Sequence, residues 1–254
     1  MLVSVIINCH NGAKYLEENL KSIFDQTHKN WEIIFFDNCS SDNSKSIVDR
    51  YMGIKNIKYY RSDDFLKLYD ARNKAIELSK GDYICFLDTD DTWYKEKLEK
   101  QISFLKNNLD YGIVYSNFDI KNEVKNKNFL NYKNTLPMGF IKKKLLRKYQ
   151  VGILTVCFRR DILKKYRFNK NYNIIGDFDL IIRLSKDIKI GSIQEPLANY
   201  RIHKENFSTK RSDEHLSELK EWLTKNTREF ESNIDLLFFK FFLFKLKIKS
   251  LLKY

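Results

Sequence analysis

Three carboxylates crowd into four residues at Asp88-Thr89-Asp90-Asp91, directly after the apolar run Ile84 to Leu87. Like charges that close repel one another unless a cation neutralises them. An oxygen-only donor set suits Mg²⁺ or Mn²⁺, which complete their shells with phosphate oxygens and water. A local use competes with this one, since Asp91 or Thr92 is placed to cap a helix starting near Trp93. Asp37, followed by Asn38, Ser40 and Ser41, ends another apolar run. There an acid can accept hydrogen bonds from a ribose hydroxyl or a base imide, or simply close an Asx turn. Arg72, in Ala71-Arg72-Asn73, offers a charge to a diphosphate or an acidic site, or is an exposed helix arginine. Asp177 follows Gly176 at the head of a helical run, where a carboxylate is favoured by the helix dipole alone.

The elements that must position these groups are legible as alternating patterns. Val3 to Ile7, Ile33 to Phe36, Ile57 to Tyr60, Ile84 to Leu87 and Ile113 to Tyr115 are unbroken β-branched or aromatic runs, the signature of strands covered on both faces. Between them, helical spacing links Leu16, Leu20, Ile23 and Phe24, then Ile47 and Tyr51, then Ala71, Ala75 and Leu78, then Trp93 to Leu105. This alternation predicts an α/β fold with a mostly parallel sheet and right-handed crossovers, whose ligands bind beyond the carboxyl ends of the strands. The polar segments Asn8-Cys9-His10-Asn11-Gly12, Asp37 to Asp42 and Asp88 to Asp91 all fall at that edge. No Gly-x-Gly-x-x-Gly or Gly-Lys-Ser/Thr loop is present to cradle phosphates. Residues 118–150, rich in Asn and Lys, read as a mobile basic loop leading into a short helix. A strand at Ile153 to Phe158, a short helix from Asp161, an acidic turn at Asp177, a helix through Leu184 and two strands ending near His203 follow; the pattern is helical from Asp213.

The chain's 254 residues can bury a sizeable core, and its 43% apolar and 15% aromatic content excludes disorder. The formal charge of +13 asks for a polyanionic neighbour: nucleic acid, an anionic membrane surface or a phosphorylated substrate. Cys9, Cys39, Cys85 and Cys157 lack metal-site spacing and are expected to be reduced thiols of a cytosolic protein. The N-terminal run reads as a strand and not a signal peptide, and no apolar run is long enough to span a bilayer, which predicts a soluble or peripheral protein.

Taken in order, the motifs resemble those of family 2 glycosyltransferases of the GT-A fold. The likeness runs over roughly residues 2–208: Val3-Ser4-Val5-Ile6-Ile7 with His10-Asn11; Leu20-x-Ser22-Ile23-x-x-Gln26-Thr27; Trp31-Glu32-Ile33-Ile34 leading to Asp37 and Ser40-Ser41-Asp42; Ala71-Arg72-Asn73-x-Ala75; Gly81-Asp82-Tyr83-Ile84; Leu87-Asp88-x-Asp90-Asp91; Phe158-Arg159-Arg160; Asp177-x-Asp179-Leu180-x-x-Arg183; and Tyr200-Arg201-x-His203. The resemblance implies a GT-A, Rossmann-like domain over 1–208, with a nucleotide-sugar half at 1–117 and an acceptor and base half at 118–208, followed by a helical basic-aromatic tail at 209–254. It further implies that His10, Asn11, Asp37, Arg72, Asp88 and Asp90 bind the nucleotide sugar, with Asp37 at the base and Arg72 near the base or the diphosphate. Asp90, Asp91 and His203 would attend a Mn²⁺ or Mg²⁺ ion, and Asp177 would be the general base of an inverting transfer. Asn8, Cys39 and Gly176 depart from the family's common Pro, Gly and acid. Gly176 leaves Asp179 as a competing base, although at helical spacing Asp179 points to a different face.

Such chemistry needs a cation to stabilise the departing diphosphate and one carboxylate to deprotonate the acceptor hydroxyl. A single displacement inverts the anomeric centre, without the second, nucleophilic carboxylate of a retaining glycosidase. The tail 236–254 carries five lysines and no acid among Phe and Leu, a composition suited to an anionic leaflet, or to packing on the domain or in a homodimer. It and the run 121–148, with nine basic residues against Glu123 alone, account for the whole positive excess. The expected partners are therefore a nucleotide sugar, a glycan or glycolipid acceptor and the inner face of the plasma membrane, with no nucleic acid. Two readings compete: a basic nucleic-acid-binding module without catalysis, and a sugar-phosphate nucleotidyltransferase, which would be expected to carry an N-terminal Gly-rich loop.

Overall fold

The computed structural model describes residues 1–206 and 210–251, with the side chains of 249–251 left aside. Four strands, β1 (Val3–Cys9), β2 (Trp31–Asp37), β3 (Ile57–Arg61) and β4 (Tyr83–Phe86), pair in parallel in the order β3-β2-β1-β4. Every residue of β2 and β4 is buried, as their unbroken apolar runs require. Helices α1 (Ala13–Phe24), α2 (Ser44–Asp49) and α3 (Leu68–Leu78) make the crossovers. The order of strands and helices is the α/β alternation that the sequence predicts.

Beyond β4 the sheet changes sense. A short strand β5 (Thr92–Trp93) and helix α4 (Lys97–Asn107) precede β6 (Tyr111–Asn122), β7 (Lys127–Leu130) and β8 (Cys157–Arg159). β8 is antiparallel to both β4 and β6. Helices α5 (Lys142–Arg147), α6 (Arg160–Lys165) and α7 (Gly176–Leu184) lead to the long β9 (Lys189–Ile202), which runs parallel to β6 and antiparallel to β5. Two helices, α8 (Ser212–Lys225) and α9 (Asn233–Leu251), finish the described chain.

Four sequence expectations are corrected. Trp93 does not open a helix: it pairs with Ala198 in the sheet and its buried indole N–H donates to the Leu154 carbonyl at 2.8 Å, so α4 waits until Lys97. Residues 118–150 are not a loop throughout, because β6 continues to Asn122 and turns back through the fully exposed β7, whose lack of a buried face hid it from a hydrophobic pattern. The strand expected from Ile153 is a 3-10 turn at Ile153–Thr155, and β8 begins only at Cys157. The two strands expected before His203 are one, with register shifts around Ile193 to Pro196 that accommodate a proline lacking an N–H.

The basic run is also less free than its composition suggests. Lys142 pairs with Glu229 at 3.0 Å, and Arg147 and Lys143 meet the buried Asp235. Acids just ahead of the tail neutralise α5, and the two segments are clamped together. Leu216, Leu219, Trp222, Phe239 and Leu243 of α8 and α9 belong to the same apolar core as Ile34, Phe86 and Tyr115 of the sheet. All four cysteines are free. No helix among the described residues is long and apolar enough to cross a membrane.

Candidate active site

The polar segments after β1, β2 and β4 open on one cavity of about 900 Å³, which is also lined from the far side by α7 and the end of β9. His10, Asn11, Arg72, Asp88, Asp90, Asp91, Asp177 and His203 all line it. Asp37 does not. It is fully buried, and its carboxylate accepts hydrogen bonds from the Ser40 N–H at 2.8 Å, the Tyr59 hydroxyl and Arg61 Nη1 at 3.0 Å. Burial works against its charge, yet these donors hold its carboxyl below the usual range. Asp37 thus anchors the loop whose next residue, Asn38, reaches the cavity wall.

That loop is tied to the one after β1. Asn11 and Cys39 take left-handed conformations, with φ of 55° and 60°. Asn11 Oδ1 accepts from the N–H of Ser41 at 2.8 Å, and His10 Nδ1 donates to the Asn38 carbonyl at 2.8 Å. The Nδ1–H bond fixes the imidazole, whose edge meets exposed Phe65 at 4.7 Å between ring centroids. His10, Asn38 and Phe65 together line one part of the cavity.

The acidic turn is held from three sides. Asn19 of α1 donates to the carbonyls of Asp88 and Asp91 at 2.7 and 2.9 Å. Arg72, almost wholly buried among Tyr69, Phe86 and Phe168, donates to Asp88 Oδ1 at 2.6 Å. Arg201 of β9 gives its N–H to Asp91 Oδ1 at 2.9 Å and its Nε–H to the Asp90 carbonyl at 2.8 Å, while its remaining nitrogens reach Glu123 and Glu18. Asp91 is buried in the cavity wall with Oδ1 turned toward the β9 backbone, so it caps no helix. Burial, then the charges of Asp90 and Asp88, push its carboxyl well up.

Asp90 faces outward. Its Oδ2 lies 2.9 Å from His203 Nε2 and 3.3 Å from Asn206 Nδ2, and burial together with Asp88 raises its pKa. Among the described residues no group of three His, Cys, Asp or Glu side chains converges as a metal cage. Asp90 and His203 are still the pair whose chemistry suits a divalent ion, a carboxylate oxygen beside an imidazole nitrogen; here they are hydrogen-bonded to each other at 2.9 Å, with His203 Nδ1 accepting the Glu205 N–H, and an ion would replace that bond.

Asp177 stands across the cavity in the first turn of α7. Its Oδ1 accepts from the Phe178 N–H at 2.8 Å and from Tyr69, whose hydroxyl also lies 2.8 Å from the Ile174 carbonyl. Oδ2 makes no hydrogen bond with the described residues, which leaves it for a substrate. Burial raises the Asp177 pKa, with the Arg72 charge opposing, so the carboxylate is a stronger base than an ordinary aspartate. Gly176 also finds its reason here: an added Cβ would stand 2.4 Å from Tyr69 Cδ2, so no acid fits before Asp177. Asp179 is not a rival. It is buried and accepts from Trp222 Nε1 at 3.0 Å and Arg183 Nε at 2.9 Å, tying α7 to α8.

Sequence reasoning missed the residues that hold this arrangement. Glu218 of α8 accepts the N–H groups of Asn173, Ile174 and Ile175 at 2.6, 2.9 and 3.1 Å, fixing the backbone that delivers Asp177. Tyr69, Asn19 and Arg201 act similarly at the base and the acidic turn. Glu218 lay in an ordinary helical pattern, and only its apolar neighbours Leu216 and Leu219 signalled that this face is buried.

Parallel strands ending in such a cavity define an α/β domain with its site at the strands' carboxyl edge, and comparison gives the family. Residues 4–167 match Glycosyl transferase family 2. The Escherichia coli protein UDP-Glc:alpha-D-GlcNAc-diphosphoundecaprenol beta-1,3-glucosyltransferase WfgD is 32% identical over 216 residues, spanning 84% of this chain and 82% of its own. The fold is shared with S. aureus TarS in complex with UDP-GlcNAc, at a TM-score of 0.68 and 17% identity over 96% of this chain and 72% of that one. It is also shared with the mannosyltransferase PcManGT of Pyrobaculum calidifontis in complex with GDP-Man and Mn²⁺, at 0.67 and 16% over 92% and 66%. The chain belongs to glycosyl transferase family 2 and is a glycosyltransferase with a GT-A-like fold. That membership displaces both the nucleic-acid-binding and the nucleotidyltransferase readings.

Proposed function

We propose that this enzyme moves a sugar, with inversion, from a UDP-linked donor to a hydroxyl of a growing lipid-linked or cell-surface glycan at the inner face of the plasma membrane. The observation that carries the reading is one cavity with two unlike acidic walls. On one side Asp88 is neutralised by Arg72 while Asp90 sits beside His203; on the other a single base-strength carboxylate, Asp177, presents a free oxygen. WfgD, named for a UDP-glucose donor and a diphosphoundecaprenol-linked acceptor, supports the donor and acceptor classes. Residues 1–117 serve as the donor half and 118–208 as the acceptor and base half.

His10, Asn11 and Asn38 receive the nucleotide, with Asp37 acting through the loop it anchors. Arg72 and Asp88 orient the diphosphate end. Asp90 and His203 would hold Mn²⁺, with Asp91 steadying their turn from β9; the imidazole donor disfavours Mg²⁺, the harder ion. When bound, the ion supplies Lewis-acid stabilisation of the leaving diphosphate. Asp177 Oδ2 accepts the acceptor's hydroxyl proton as the oxygen attacks C1 from the face opposite the diphosphate. Arg72 lies between the two walls: it bonds Asp88, and its charge also lowers the energy of ionised Asp177.

The test is a thermal-shift panel of nucleotide sugars with and without Mn²⁺. At a donor concentration near 100 times Kd, binding adds about 2.7 kcal/mol, or roughly 5–10 °C in Tm for a chain of this size. A UDP-sugar that gives this shift only with Mn²⁺ supports the reading. Equal shifts without metal would remove the cation from it, and no shift with any donor would remove the UDP-sugar assignment.

A further inference from the structure

The C-terminal helix α9 has two apolar faces. Leu236, Phe239, Leu243 and Leu246 face the domain, where Phe239 packs on Trp222 and Phe178 with ring centroids 5.6 and 5.9 Å away. On the opposite side Ile234, Leu237, Phe241, Phe244 and Ile248 are all exposed, Leu237 at 67%. Their alternating spacing of three and four residues keeps them within an arc of about 80° at 100° per residue, a straight stripe about 21 Å long. Lys240 and Lys247 border one edge of the stripe; Lys245 lies along the other, its Nζ 4.4 Å over the Phe241 ring, and beyond it Phe238 and Phe242 add further exposed apolar surface. The chain has no acid after Asp235. The lysines that point in conflicting directions on a one-faced helix are therefore the two margins of a second face.

We propose that this stripe is the surface by which the enzyme lies on an anionic lipid bilayer, with α9 in the plane of the interface. Charge decides between the occupants of an apolar stripe. A second copy of α9 would bring lysine margins against lysine margins with no acid to pair them, as self-association through such a seam does not tolerate. An anionic leaflet supplies the missing charge, while the apolar side chains enter the acyl boundary and the lysine stems extend back to the headgroups. Because the other face of α9 is packed on the domain, the helix can bind lipid without leaving its seat. The proposal gives the suggested lipid-linked acceptor a surface on which to meet the enzyme, and it rests on that reading for its purpose.

The experiment is vesicle flotation of the full chain, comparing phosphatidylcholine alone with vesicles one-third phosphatidylglycerol. The wild type should float with the acidic vesicles only. A Leu237→Ser/Phe241→Ser/Phe244→Ser variant should lose flotation with an unchanged circular dichroism melt, since these side chains already face solvent. A Lys240→Glu/Lys245→Glu/Lys247→Glu variant should bind acidic vesicles at least about a hundredfold more weakly, at about fivefold for each lysine lost. Equal flotation with neutral vesicles, or a serine variant that floats like the wild type, overturns the proposal. So does a wild type that ignores vesicles but elutes as a dimer that the serine variant dissociates, which assigns the stripe to a second copy. UDP release from a nucleotide sugar, measured on the same samples without lipid, reads the catalytic proposal separately: its absence beside normal flotation would strike the enzyme's assigned donor and not the surface.

Discussion

At the scale of single residues, the carboxyl proposed as the base is tuned by neighbours with opposing effects. Burial raises the Asp177 pKa, while Arg72, the Phe178 N–H and Tyr69 each favour its charged form. Only the ionised carboxylate accepts a proton, so kcat should fall as pH drops through this raised value, above the ordinary aspartate range. Tyr69→Phe removes a hydrogen bond to the charged form, so the acid limb of the kcat profile should move to higher pH; a limb that stays put or moves down contradicts the assignment. The candidate residues themselves were legible in the sequence because chemistry limits them to a few types at strand ends. Their separate duties were not. Asp37, Asp88, Asp90 and Asp91 look alike as letters, yet hydrogen bonds from Tyr59, Arg72, His203 and the Arg201 backbone give each a different task.

At the scale of elements, α7 must present Asp177 in one orientation, and α8 and α3 see to it. Glu218→Gln leaves one acceptor oxygen for three backbone N–H groups, a loss of about 1–3 kcal/mol that should lower Tm by roughly 2–10 °C. The kcat should fall with donor KM unchanged, as steady-state kinetics will show; a changed KM would place Glu218 at the donor. Gly176→Ala forces a methyl onto the Tyr69 ring and should likewise reduce kcat, whereas Asp179→Asn, which keeps an acceptor for Trp222, should affect Tm more than turnover. The parallel strands and their crossover helices were readable because burial on both faces leaves unbroken apolar runs. β7 escaped because it is exposed and the end of β6 because its half-buried residues are mostly polar, while Trp93 reads as helical because an aromatic residue fits either period until its partner strand is known.

At the scale of the whole molecule, the excess positive charge is divided between a neutralised part and a free part. Lys142, Lys143 and Arg147 are compensated by Glu229, Glu231 and Asp235, which also fasten α9 to α5. Asp235→Ala should therefore loosen α9, raising amide exchange across 233–248 while donor binding is unchanged; exchange as slow as the wild type's would deny Asp235 that role. Lys240, Lys245 and Lys247, along the exposed stripe of α9, have no acid within the tail to pair with. No composition could make that separation, since the acids that cancel α5 lie some 85 residues further along the chain. What most needs testing is that one carboxylate, Asp177, does the proton chemistry in a cavity with whose donor wall it shares no hydrogen bond. The direct measurement is turnover and donor affinity of Asp177→Asn on one preparation, with the UDP-sugar selected by thermal shift. The predicted result is a kcat lowered by about a hundredfold to ten-thousandfold with a calorimetric Kd for the donor within about twofold of wild type, since a neutral isostere leaves that wall intact. Near-normal turnover with unchanged donor binding would contradict the account and move the base to another residue.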